Sequence, residues 1–183
     1  MIGLRVKVAT GIAALGVGAV AAAAVAGDGK KIRTQLNGFE EVPAILTTGE
    51  GSFHARISRS GEEIRYRLKY GGLEGGSTPT QAHIHIGQED VNGGISAWLC
   101  GSTTNPGPAG TQSCPAQPGT VTGTIRPENV VGPDGQGVAP GEFAELVRAI
   151  RSGVAYANVH TTKYGGGEIR GQLGKRGDDD HDD

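Results

Sequence analysis

Glycine breaks this chain into short runs, and it does so without a fixed period: 33 of its 183 residues are Gly. Each Gly inside a helix costs about 1 kcal/mol relative to Ala, so a long helix or coiled coil is excluded. The lack of a three-residue repeat, with only 9 Pro, excludes a collagen helix. What the runs between glycines show is alternation. In 62–70, Ile64, Tyr66, Leu68 and Tyr70 alternate with Glu63, Arg65, Arg67 and Lys69. That is the pattern of an antiparallel strand with one face in a core and one in water. Similar runs at 32–37, 51–58, 81–86, 95–99, 120–125, 154–160 and 167–173 predict further strands. One segment, 142–151, instead places Phe143, Leu146, Val147 and Ile150 at helical spacing, with Gly153 after it as a cap. The expected fold is all-β: a Greek-key sandwich or barrel of about eight antiparallel strands with one short helix.

Both ends differ from this body. Arg5 and Lys7 precede an uncharged stretch rich in Ala, Gly and Val that closes on Ala24-Val25-Ala26. This predicts a Sec-type signal peptide over 1–26 and a secreted or periplasmic protein, free of the membrane after cleavage. The body then spans 27–175. Residues 176–183 form an acidic tail, with five Asp between Asp178 and Asp183 and no apolar side chain to bury, the composition of a disordered segment. The formal net charge of -2 offers no basic footprint for nucleic acid. An exported chain meets an oxidising compartment, so Cys100 and Cys114 are expected to pair and staple the Gly-, Pro- and Thr-rich segment between them. Such a loop contributes roughly 3 kcal/mol.

The residues that could carry chemistry gather on three of the expected strands. In Ala82-His83-Ile84-His85-Ile86, the two histidines share a face about 7 Å apart along the strand. His160 lies on a face with Tyr156 and Asn158, and Glu168 and Arg170 alternate with Ile169 in the last strand. If these strands pair, His83, His85 and His160 form a three-nitrogen set suited to copper or zinc, with Asn158, Glu168 and Arg170 around it. The alternative is a structural polar cluster whose imidazoles bond to Asn158, Glu168 or backbone. No catalytic residue is assigned, because nucleophile elbow, phosphate-loop and zinc-protease motifs are all missing. His54, opposite Phe53, Ala55 and Ile57, reads as surface, and Trp98 as a packing or rim aromatic.

Several tracts in order resemble the CHRD domain: Leu36-Asn37-Gly38-Phe39-Glu40-Glu41-Val42-Pro43, Ala82-His83-Ile84-His85-Ile86-Gly87, Asn158-Val159-His160-Thr161 and Gly167-Glu168-Ile169-Arg170-Gly171-Gln172-Leu173. The resemblance implies an extracellular β-rich module of undefined molecular activity, acting by binding or as a structural unit. A partner would be an extracellular or cell-surface protein, reached through a sheet edge or the 101–119 loop. A weaker resemblance, to the copper/zinc superoxide dismutase barrel, implies a three-His copper site with redox activity as the rival function. It lacks counterparts for that family's bridging and zinc-loop ligands.

Overall fold

The computed structural model describes residues 29–174. The expected signal peptide and the whole of the acidic tail lie outside them. All eight expected strands form: β1 (Lys31–Asn37), β2 (Glu50–Ile57), β3 (Ile64–Gly71), β4 (Pro79–Ile86), β5 (Gly94–Cys100), β6 (Gly119–Ile125), β7 (Ala155–Thr161) and β8 (Ile169–Leu173). The helix α1 covers Phe143–Arg151. It ends in a Schellman cap, with Gly153 in the left-handed region and the amides of Gly153 and Val154 returning to the carbonyls of Ile150 and Ala149.

The strands make one antiparallel sheet in the order β5-β4-β7-β8-β1-β2-β3-β6. It curls into a nearly closed barrel, which resolves the choice between sandwich and barrel. The inward residues are those that alternation selects: Phe53, Ile57, Ile64, Leu68, Ile84, Ala157, Val159 and Ile169 are wholly buried. Phe53 stacks on Tyr66 at 6.0 Å. The apolar side of α1, with Leu146 and Ile150, joins the same core.

The two halves of the sheet treat their outer faces differently. On β1–β3 the outer residues meet water, and His54 is exposed as expected. On β4, β7 and β8 the outer face is polar and yet buried, because the 38–49 and 87–93 segments lie against it. Gln172 Nε2 donates to the Gly87 carbonyl, and Arg170 donates to that of Gln88. Asn92 ties the two segments together by donating to the Val42 carbonyl at 2.8 Å. No described helix is long and apolar enough to cross a membrane.

Candidate metal centre

The pairing of β4 with β7 sets Asn158 opposite His83 and Tyr156 opposite His85. It brings His83, His85 and His160 together on the covered outer face. One ring nitrogen from each lies within 4.8 Å of the others. Their residual exposures are 0%, 7% and 7%. Among the described residues no other histidine joins them, as His54 is on the solvent face of β2.

Carbonyl partners fix which nitrogens carry protons, since a carbonyl only accepts. His85 Nδ1 donates to the Gly93 carbonyl, and His160 Nδ1 to that of Gly165, each at 3.0 Å. In the neutral rings the Nε2 atoms therefore hold lone pairs. His83 Nδ1 sits 3.2 Å from His160 Nε2 and must be the donor there, which leaves a lone pair on His83 Nε2 as well. The Nε2 atoms of His83 and His85 are buried with no hydrogen-bond partner. Burial drives all three rings toward the neutral form: His83 is pushed down to about 2 and His85 to about 4, and His160 is lowered too. Three buried neutral imidazoles thus gather, with free lone pairs on Nε2 of His83 and His85, with that of His160 engaged by the His83 N–H, and with His85 and His160 oriented by backbone carbonyls in the way proteins orient metal-binding rings.

The surroundings are built from both loops and strands. The Trp98 ring meets His83 edge-on at 4.2 Å, so it is a packing aromatic. It is itself overlaid by Gly107 of the disulfide loop, where a Cβ would come within 2.6 Å of its ring. Tyr156 stacks on His85 at 4.8 Å and carries the Arg170 guanidinium 3.5 Å above its ring. Asn158 donates to Glu41 Oε1 at 2.6 Å. Glu168 is fully buried and accepts four hydrogen bonds, from Thr47, Ser77 and Thr161 hydroxyls and the Glu74 amide. Asn158, Glu168 and Arg170 thus all stand on the expected face, but none bonds an imidazole. Arg170 reaches His85 through Tyr156, and the direct partners are Gly93 and Gly165.

Sequence reasoning missed Glu41. Burial pushes its carboxyl up to about 7, against the pull of Arg170 and the Asn158 hydrogen bond. It lies in a turn without periodicity, and the Leu36–Pro43 tract was the only signal that could have flagged it. The expected disulfide joins Cys100 to Cys114.

A family model described as the CHRD domain matches residues 32–173. This span takes in the barrel almost completely, with all three clustered histidines and both cysteines. The curated proteins contain no match, and neither do the solved structures. The chain belongs to the CHRD domain family.

Proposed function

We propose that this chain is an exported, extracellular CHRD module that holds one copper or zinc ion on His83, His85 and His160. The observation that carries the reading is the buried gathering of three imidazoles, one ring nitrogen of each within 4.8 Å of the others, with Nε2 of His83 and of His85 lacking any hydrogen-bond partner. A purely structural polar cluster would be expected to satisfy them, because an unpaired buried polar atom costs about 1–3 kcal/mol. When bound, such an ion supplies a Lewis-acidic or, for copper, a redox-active centre. The chain's own residues orient and enclose. Gly93 and Gly165 fix the ring tautomers, Tyr156 braces His85, and Trp98 closes over His83. That enclosure supports a holding role over turnover, since catalytic sites keep a ligand position open. The N-terminal segment with its Ala-x-Ala ending, the disulfide and the family together support export.

The test is the metal content of untagged protein purified from the periplasm or medium, with thermal melts on adding copper or zinc. Stoichiometric metal is expected, together with stabilisation of about 2.7 kcal/mol at a hundredfold excess over Kd. His83→Ala and His160→Ala should abolish the shift. Wild-type protein without metal, whose melt neither ion moves, would defeat the metal site. It would leave the chain a metal-free binding module.

A further inference from the structure

The solvent face of β1–β3 is cationic to a degree that the fold does not require. Register places Lys31 opposite Arg56 and Arg56 opposite Arg65; one pair of rungs along, Arg33 faces His54, which faces Arg67. Lys69 extends the surface toward Thr120 of β6. Like charges directly across a sheet are destabilising. Arg65 is relieved by Glu63 at 2.8 Å. Among the described residues, Arg33, Arg67 and Lys69 make no ion pair. The Arg33–His54–Arg67 row lies in a shallow depression of about 630 Å³.

The same chain carries a polyanion of matching size: residues 178–183 hold five aspartates. Its attachment point is close to this face. β8 runs antiparallel to β1, with Arg170 opposite Asn37. Farther along, Gly171 presses against the Gln35 carbonyl, where a Cβ would stand at 2.2 Å, and against Thr34. The chain therefore leaves β8 toward the Lys31–Arg33 end of β1. Three residues, 175–177, span up to about 10 Å, and two inter-strand spacings also total about 10 Å.

We infer that the acidic segment 178–183 docks in cis on the cationic outer face of β1–β3. Tethering supplies a local concentration in the millimolar range, which compensates for pairs that are individually weak and screened by salt. An external polyanion then reaches this face only by displacing the segment. The proposal is independent of the histidine cluster.

The experiment uses the full chain and a full-length variant with Asp178, Asp179, Asp180, Asp182 and Asp183 all changed to Asn. Amide NMR spectra of the two are compared at low and high salt, and heparin serves as the probe polyanion. At low salt the variant should shift amides of β1–β3 and leave those of β4 and β7 in place, and the difference should vanish in high salt. Heparin should bind the variant at least tenfold more tightly. Indistinguishable β1–β3 amides, or equal heparin affinity, would overturn the proposal. A difference that grows with protein concentration would also overturn it, by assigning the contact to a second copy.

Discussion

Burial holds the three imidazoles neutral, and this decides how the metal-free protein meets acid. The ordinary histidine value is 6.5, and His85 is held at about 4 with His83 and His160 also lowered. Below pH 6.5 the unfolded chain takes up protons that the folded chain refuses. The stabilisation from these rings is therefore complete above pH 6.5 and is lost progressively as the pH falls toward the folded values. Glu41 acts in the opposite sense. Raised from 4.5 to about 7, it stabilises fully below pH 4.5, and that contribution is lost as the pH rises through about 7. Three rings outweigh one carboxyl, so the Tm of metal-free protein should fall between about pH 7 and pH 5. Glu41→Gln should steepen the fall, and a Tm that rises over the same interval would refute the assignment. The proposed ligand set would also select an oxidation state. It brings no negative charge, and the Arg170 cation bears on His85. Since burying charge is costly, bound copper should favour the cuprous form, with a reduction potential above that of the aqueous couple. Titrating the cupric EPR signal against potential measures this, and a lower potential would speak against the site.

At the scale of elements, the β4–β5 connection does the most to position the cluster. The Gly93 carbonyl accepts from His85, while the Gly93 amide donates to the Tyr156 hydroxyl at 3.2 Å. A Cβ here would stand 1.6 Å from the Ile86 carbonyl oxygen. Gly93→Ala should therefore displace the turn, at a cost of about 1–3 kcal/mol. It should also weaken metal binding more than it lowers the melting temperature of metal-free protein would suggest, which paired melts with and without metal can separate. Strands such as β3 were legible because one face is dry and the other wet, so the core is written as a period of two. The same rule gave the shared face of His83 and His85. It could not show that this face is buried, because the segments that cover it, 38–49 and 87–93, have no period of their own. For the same reason the sequence places Asn158, Glu168 and Arg170 on one face without showing their partners, and of the imidazole partners it offers, Asn158, Glu168 or backbone, the structure uses backbone for His85 and His160. Asn158 and Arg170 bond to Glu41 and Gln88, residues of turns, and three of the four hydrogen bonds to Glu168 come from Thr47, Glu74 and Ser77, outside the strands.

For the molecule as a whole, the weak point of the barrel is the seam between its edge strands β5 and β6. Unpaired edges invite association with other chains, and here side chains and a covalent link seal them. The Tyr66 hydroxyl donates to the Leu99 carbonyl at 3.0 Å. Gln112 bridges Leu99 and Thr122 by donating to both carbonyls. The Cys100–Cys114 bond anchors the loop that carries Gln112. Replacing both cysteines with Ser should lower stability by roughly 3 kcal/mol in urea titrations. Amide exchange should quicken at the seam before it does in β7 and β8, and uniform exchange across the barrel would show that the seam is no separate unit. The covered face of β4, β7 and β8 has a kinetic consequence. With His83 beneath Trp98 and the 38–49 and 87–93 segments tied by Asn92, an ion at the proposed site could enter or leave no faster than those segments part. Loading would be gated by local opening, and a captured ion would have a long residence time even where its equilibrium affinity is ordinary.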